Sequence, residues 1–324
     1  MTDLAGMRRH RPDADGASLS WPHRHLLDVD QLTRGELERC LDLAVEMRER
    51  RGRGERLDTL RGQVVGLAFA EPSTRTRVSF ELAATALGAQ VVSLPIEASS
   101  VTKGESLADT VRTLERTGIS TIVLRHAMSG APYLAARSCG ARIVNAGDGT
   151  HAHPTQALLD ALTLRDTLGS LDGARVVIVG DAAHSRVARS NLHALTTLGA
   201  SVVLTGPPAW VRPFLGWPGV MVEPDLDTAL RGANAVIALR VQLERAAGRG
   251  VPSLAEFIAG WGLTVERLDQ ACPAAWLMHP GPANEGLEIS AELSTAERSL
   301  IGRQVENGVP IRMAVLSRLA ENAR

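Results

Sequence analysis

Hydrogen-bond donors suited to a phosphate cluster in one short stretch of the chain. Ser73-Thr74-Arg75-Thr76-Arg77 holds three hydroxyl groups and two guanidinium groups in five residues. The stretch follows an apolar run and precedes a segment with helical spacing. Its backbone N–H groups therefore lie at a helix N-terminus, where anions bind. Helix capping accounts for one hydroxyl, whereas the density of donors favours a phosphate site.

Further polar residues end the predicted strands or begin a long predicted helix. His153 and Gln156 are three residues apart at the start of that helix, so their side chains share a face. Arg240 and Gln242 alternate at a strand end and point the same way. A lone histidine is more often structural than catalytic, but ligands in parallel sheets bind beyond the carboxyl ends of strands. The set also includes Arg125 and the stretch His279-Pro280-Gly281-Pro282.

Several familiar catalytic motifs are missing from the sequence. Neither the Walker phosphate pattern nor a Gly-x-Gly-x-x-Gly turn is present, which argues against a nicotinamide cofactor. No Gly-x-Ser-x-Gly motif offers a nucleophile, and three scattered cysteines fit neither a disulfide framework nor a zinc site. We therefore expect no cofactor and no metal. The inventory suits a reaction between anions, run by positioning and charge stabilisation.

The overall charge and hydropathy patterns exclude other classes of function. The formal net charge of −1 gives no sign of a nucleic-acid or membrane surface. No apolar run reaches the roughly 20 residues that span a bilayer, and the N-terminus lacks an apolar signal-peptide core. These features predict a cytoplasmic protein.

Lysine usage singles out one position. Lys103 is the only lysine in the chain, and every other basic side chain apart from histidine is arginine. Codon bias explains the abundance of arginine but not the survival of one lysine. Because a compact ammonium and a planar guanidinium are not interchangeable, a functional role for Lys103 is an open alternative.

Strand-like and helix-like segments alternate along the chain in two series. A long helix predicted over His153–Leu168 separates them. This alternation predicts an α/β fold with two doubly wound parallel-sheet domains joined by that helix. Residues 1–22 lack periodicity and are predicted to form a disordered leader. The last helix is predicted over Pro310–Ala320.

The motifs resemble those of the aspartate/ornithine carbamoyltransferase family, in order, from about His25 to the C-terminus. Ser73–Arg77 is similar to the carbamoyl-phosphate signature of the family. His153-Pro154-Thr155-Gln156 is similar to its second signature, and the His-Cys-Leu-Pro loop usual in the ornithine branch is missing from the sequence. Four further stretches resemble the aspartate branch: Val101-Thr102-Lys103-Gly104-Glu105, His184-Ser185-Arg186-Val187-Ala188-Arg189-Ser190-Asn191, Arg240-Val241-Gln242-Leu243-Glu244-Arg245 and His279-Pro280-Gly281-Pro282.

The resemblance implies an activity and an assembly. The implied reaction transfers the carbamoyl group of carbamoyl phosphate to the amine of L-aspartate, a step of pyrimidine biosynthesis. A carbamoyl-phosphate domain would cover residues 23–152, completed by a C-terminal helix over 306–324 that packs back on it. An aspartate domain would cover 153–305. The family also implies a homotrimer with shared active sites, and regulatory or dihydroorotase chains as candidate partners.

The resemblance also implies roles for single residues. The phosphate contacts would be Ser73, Thr74, Arg75 and Thr76, and the carbamoyl-oxygen contacts Thr76, Arg125 and His153. The carbamoyl NH2 group would donate to Gln156 and to the Pro280 carbonyl, in a loop continued by Gly281 and Pro282. The aspartate contacts would be Arg186, Arg240 and Gln242, together with Ser99 of the neighbouring chain. Lys103 of the neighbouring chain would reach both substrates. The implied catalytic residues are Arg75, Thr76, Lys103, Arg125 and His153.

One departure from the family pattern leaves alternatives open. Family members commonly carry arginine after the asparagine that follows the last loop, and here that residue is Glu285. A carboxylate facing the two anions would repel each by about 2–3 kcal/mol, whereas one facing solvent would have no effect. Two alternatives to an aspartate carbamoyltransferase therefore stay open. One is a carbamoyltransferase with a different amino-acid acceptor, and the other is a non-catalytic family member.

Overall fold

The computed structural model describes residues 21–95, 106–242 and 253–321. Ser99, Lys103 and the stretch Leu243-Glu244-Arg245 lie outside the described residues. The predicted leader lies outside them too, except for its last two residues. Trp21 is buried in the first core, so the leader prediction extends too far. A large apolar ring gains more from burial than a short polar neighbourhood suggests.

The first sheet contains parallel strands in the order β2-β1-β3-β4. Its apolar strands feed two separate cores, because successive side chains point to opposite faces. Val123 of β3 lies in one core, whereas Ile122 and Leu124 lie in the other. The strands are β1 (Val64–Phe69), β2 (Gln90–Pro95), β3 (Thr121–His126) and β4 (Arg142–Asp148). The helices around them are α1 (Arg34–Gly52), α2 (Thr74–Ala86), α3 (Leu107–Arg116) and α4 (Ala131–Ser138).

A long buried helix, α5 (Pro154–Leu168), connects the first sheet to the second. The second sheet is also parallel, in the order β7-β6-β5-β8-β9. Its strands are β5 (Arg175–Val179), β6 (Ser201–Thr205), β7 (Val220–Val222), β8 (Ala235–Ala238) and β9 (Trp276–Met278). Its helices are α6 (Arg186–Thr197), α7 (Pro208–Val211), α8 (Leu226–Leu230), α9 (Leu254–Trp261), α10 (Val265–Ala271) and α11 (Ala291–Thr295). The two-sheet α/β architecture predicted from the sequence is confirmed.

The final helix, α12 (Ile301–Glu321), returns to the first half of the molecule. It packs against α1, α2 and α5, and almost its whole length after Gln304 contributes buried side chains. The predicted start at Pro310 is wrong, because the helix begins nine residues earlier and Pro310 lies inside it. Proline usually marks a first helical turn, but burial of the helix against α1, α2 and α5 outweighs the lost hydrogen bond.

Candidate active site

The loop after β1 leads directly into α2, and it borders a cavity. Ser73 precedes α2 in an extended conformation, and its hydroxyl makes no capping hydrogen bond within the described chain. Thr76 is buried in the first turn. Glu71, Ser73 and Thr74 line a cavity of about 250 Å³ at this loop. The hydroxyl-rich loop therefore borders a cavity, and the Ser73 hydroxyl is not engaged in capping α2.

Arg75 joins this loop to the last loop of the second sheet. A Cβ added to Gly281 would lie 3.0 Å from Arg75 Nη1 and 3.2 Å from Arg75 Cζ, so the guanidinium rests against the backbone of that glycine. Gly281 has a φ of +62°, a conformation that favours glycine. The turn is held by His279, whose Nδ1 accepts from the Gly281 N–H at 2.8 Å. The predicted phosphate loop and the Pro280 loop therefore meet.

Two predicted arginines share one carboxylate at the carboxyl ends of the first sheet. Arg186 Nη1 lies 3.0 Å from Glu71 Oε2, and Arg125 Nε lies 3.6 Å from the same oxygen. Arg186 also donates to the Gly149 carbonyl at 3.2 Å, and Arg125 donates to the Ala146 carbonyl at 3.2 Å. Since Arg186 begins α6 while Arg125 lies near the carboxyl end of β3, the cluster spans both halves of the chain.

His153 lies beside this cluster at the entry of α5. Its side chain is buried, and its Nδ1 has no hydrogen-bond partner among the described residues. Its backbone N–H donates to Ser190 Oγ at 3.0 Å. Burial lowers the His153 pKa well below 6.5, and the positive charges of Arg186, Arg125 and Arg312 lower it further. The imidazole is therefore neutral at pH 7, and it can donate one N–H without carrying a charge.

Among the residues predicted for aspartate, Gln242 contacts the turn that precedes Arg186 at the start of α6. Gln242 Nε2 donates to the His184 carbonyl at 3.1 Å, which joins the chain after β8 to the turn before Arg186. Arg240, half-buried, precedes Gln242 by two residues in the same segment after β8. His184 is held in turn by Asp181, whose Oδ1 lies 2.8 Å from its Nδ1.

Comparison with known proteins decides the family. The model described as aspartate/ornithine carbamoyltransferase, carbamoyl-P binding domain, matches residues 24–166, and the model of the Asp/Orn binding domain of that family matches residues 172–319. The chain belongs to the aspartate/ornithine carbamoyltransferase family.

Curated relatives in this family match nearly the whole chain. The aspartate carbamoyltransferase catalytic subunit of Roseiflexus sp. (strain RS-1) is 47% identical over 98% of each protein. The subunit of the same name from Chloroflexus aurantiacus (strain ATCC 29366 / DSM 635 / J-10-fl) is 51% identical over 92% of this chain and 98% of the relative.

Solved structures of both branches of the carbamoyltransferase family share the fold. Aspartate transcarbamoylase from Trypanosoma cruzi, in complex with N-(phosphonacetyl)-L-aspartic acid, has a TM-score of 0.82 and 32% identity, covering 91% of this chain and 95% of that one. Ornithine carbamoyltransferase from Pyrococcus furiosus has a TM-score of 0.82 and 26% identity, covering 93% and 97%. The fold alone therefore does not distinguish the two acceptors.

Two features of this carbamoyltransferase site differ from the simplest expectation. Glu285, which could repel the anionic substrates if it faced them, is exposed. Its carboxylate accepts a hydrogen bond from the Ser294 hydroxyl at 3.0 Å. Glu71 was given no role from the sequence, yet its carboxylate holds both Arg125 and Arg186. Its position at the carboxyl end of β1, directly before Pro72, was the available signal.

In the described parts of the chain, no group of three or more His, Cys, Asp or Glu side chains could hold a metal ion. Nor does any helix in the described ranges have the length and apolar character needed to cross a membrane.

Proposed function

We propose that this chain transfers the carbamoyl group of carbamoyl phosphate to the amine of L-aspartate, giving N-carbamoyl-L-aspartate and phosphate in pyrimidine biosynthesis. The carrying observation is the convergence of Arg125 and Arg186, from opposite halves of the chain, on one carboxylate beside His153. The choice of aspartate over ornithine is supported by the 46–51% identity to relatives named aspartate carbamoyltransferase catalytic subunit.

Carbamoyl phosphate is proposed to bind where the loop of Ser73 meets the loop of Gly281. Backbone N–H groups at the start of α2 and the Arg75 guanidinium suit the phosphate, since both present donors to one small anion. The proposed contacts are Ser73, Thr74, Arg75 and Thr76 for the phosphate, Thr76, Arg125 and His153 for the carbamoyl oxygen, and Gln156 with the loop Pro280, Gly281 and Pro282 for the NH2 group.

The chemistry proposed for this site is stabilisation of charge. When the aspartate amine attacks the carbamoyl carbon, negative charge grows on the carbamoyl oxygen. A neutral His153 N–H and the Arg125 guanidinium would be held in place before the charge appears, so little reorganisation is required. Phosphate then leaves and can take the proton from the amine. Arg186, Arg240 and Gln242 are proposed to hold the aspartate carboxylates.

The finer assignments are proposals from the sequence. They comprise the carbamoyl-phosphate domain over 23–152 with 306–324, the aspartate domain over 153–305 and a cytoplasmic location. They also include a homotrimer whose active sites receive Ser99 and Lys103 from the neighbouring chain, with regulatory or dihydroorotase chains as candidate partners. The word subunit in the names of the relatives is consistent with assembly.

The direct test measures phosphate release from carbamoyl phosphate with aspartate, ornithine or no acceptor, without added metal or nucleotide. We expect release only with L-aspartate, because the proposed acceptor side is cationic and suits a dicarboxylate. The control is Glu285→Arg, which should leave the acceptor preference unchanged because Glu285 is exposed and bonded to Ser294. Turnover with ornithine and none with aspartate would reject the proposal.

A further inference from the structure

A buried carboxylate outside the proposed contacts connects α5, α6 and α12. Asp160 is fully buried, and its two carboxylate oxygens accept hydrogen bonds from three side-chain amides. Oδ1 accepts from Gln304 Nε2 at 2.7 Å and from Gln156 Nε2 at 3.0 Å, while Oδ2 accepts from Asn191 Nδ2 at 2.8 Å.

Two of these amides lead to the groups proposed to face the carbamoyl NH2. Gln156 is one acceptor itself. Gln304 leads to the other, because its Oε1 accepts from the His279 backbone N–H at 2.9 Å. His279 in turn holds the Gly281 N–H on its Nδ1 and lies 3.1 Å from Glu288 Oε1 through its Nε2. The turn that carries the Pro280 carbonyl is therefore tied to Asp160 through buried hydrogen bonds.

The network is directional because an ionised carboxylate can only accept hydrogen bonds. The nitrogen of the Gln156 amide must face Asp160, which leaves its oxygen free to face elsewhere. Gln304 is constrained at both ends, since its nitrogen meets the carboxylate and its oxygen meets an N–H donor. A flipped Gln304 would set donor against donor at His279 and oxygen against oxygen at Asp160.

We propose that Asp160 is a positioning residue that makes this site selective for a carbamoyl group, by holding Gln156 and the Pro280 turn as a pair of hydrogen-bond acceptors. The inference rests on the proposed function. An acyl phosphate with a methyl group in place of the NH2 offers no donors, so both acceptors would be desolvated without partners. Acetyl phosphate is such a compound and nearly the same shape, which makes it the matched probe.

The experiment compares carbamoyl phosphate and acetyl phosphate in Asp160→Leu, Asp160→Asn and the unmodified protein. The readout is the kcat/KM for carbamoyl phosphate, with saturating L-aspartate, multiplied by the inhibition constant of acetyl phosphate. Asp160→Leu removes every acceptor at nearly constant volume and frees the Gln156 amide to rotate. We expect the product to fall by about 10- to 100-fold, mostly through carbamoyl phosphate.

The asparagine variant tests whether acceptance or charge matters. Its side-chain oxygen can still hold Gln156 and Gln304, and its NH2 group can face Asn191. Asn191 Oδ1 is buried and has no partner among the described residues, so a flip of that amide would satisfy the new donor. We therefore expect Asp160→Asn to keep the unmodified selectivity. A loss as large as that of Asp160→Leu would overturn the proposal.

Asn191→Leu is the matched control, because it removes an equally buried hydrogen bond to the same carboxylate without touching either acceptor arm. Asn191→Leu should lower stability and keep the selectivity for carbamoyl phosphate. If the role of Asp160 were purely structural, Asn191→Leu and Asp160→Leu would lose that selectivity to the same extent. Should Asp160→Leu fail to fold, Gln304→Met breaks only the arm to His279, and its selectivity decides: a fall of about tenfold supports the proposal and none overturns it.

The two proposals fail differently. An unmodified protein without aspartate-dependent phosphate release would reject the proposed function. Release by the unmodified protein, combined with unchanged selectivity in a folded Asp160→Leu variant, would reject only the role of Asp160.

Discussion

At the scale of single residues, burial sets protonation states that suit the proposed reaction. His153 is kept neutral by burial and by three nearby arginines, which lower its pKa. Any loss of activity on acidification from pH 7 to pH 6 should therefore not come from protonation of His153. Burial acts in the opposite direction on a carboxylate. It raises the pKa of Asp160 from 3.8 to about 6, although three amides stabilise the charged form.

The Asp160 pKa predicts how stability depends on pH. A folded pKa above the unfolded value means that ionising Asp160 costs the native state free energy above about pH 6, and that this cost disappears below about pH 4. Asp160→Asn avoids the cost and should raise the free energy of unfolding by up to about 3 kcal/mol at pH 8. Urea unfolding at pH 8 and pH 5 checks this. An advantage that grows as the pH falls would contradict it.

Two arginines should fail in different ways when truncated. Arg75→Ala removes a proposed phosphate contact and should weaken carbamoyl-phosphate binding by about 100-fold. Arg240→Ala should mainly raise the KM for aspartate, because the second sheet is proposed to hold the acceptor. Equilibrium dialysis of carbamoyl phosphate and aspartate titrations separate the effects. Equal damage to carbamoyl-phosphate binding in both variants would refute the assignment.

At the scale of elements, the carboxyl end of β4 allows two guanidiniums to approach the backbone. Gly147 has a φ of +116°, and an added Cβ would lie 3.0 Å from Arg186 Cζ and 3.3 Å from Arg125 Nη1. These contacts are tighter than ordinary van der Waals distances, so any side chain would push both arginines away from Glu71. The glycine therefore gives the two arginines the space they need beside Glu71.

Gly147→Ala tests this close approach. Displacing two proposed substrate contacts should lower kcat/KM for aspartate by about 100-fold. Gly118→Ala is the control, because Gly118 has a similar φ of +97° but nothing within 4 Å of the added Cβ. It should lose stability through backbone strain while keeping kcat/KM. Steady-state kinetics and thermal unfolding of both variants give the comparison, and equal kinetic losses would point to strain alone.

At the scale of the whole molecule, the proposed trimer makes each active site depend on two chains. Arg186 lies in the described cluster with Glu71, whereas Lys103 is proposed to come from the neighbouring chain. Lys103→Ala and Arg186→Ala homotrimers should each be nearly inactive. Trimers refolded from an equal mixture should regain about a quarter of the unmodified activity per site, because each residue is intact in half of the chains.

Phosphate release from the co-refolded mixture, against each variant refolded alone, measures this complementation. Sizing confirms that trimers have formed. If each chain carried a complete site, mixing would restore nothing. Trimers without any gain would show that Lys103 acts within its own chain or has no role.

Much of the architecture follows from local pattern. The alternation of strand-like and helix-like segments predicted the two parallel sheets, because apolar periodicity and turn chemistry act over short distances. Some short elements, such as α7 and α11, were not predicted, since four or five residues hold little periodicity. The early start of α12 was not predicted because its buried face is set by packing against α1, α2 and α5, which its own sequence does not show.

Part of the candidate site, like part of the fold, could be predicted from local sequence, and the rest could not. Residue type and spacing by themselves indicated the donors at the start of α2 and the pair His153 and Gln156, because each group lies within one turn of chain. Only the tertiary structure decided which distant groups meet. Glu71 and Arg186 are 115 residues apart, and Asp160 and Gln304 are 144 apart. Such pairs depend on how two sheets and a returning helix pack, and no local period carries that information.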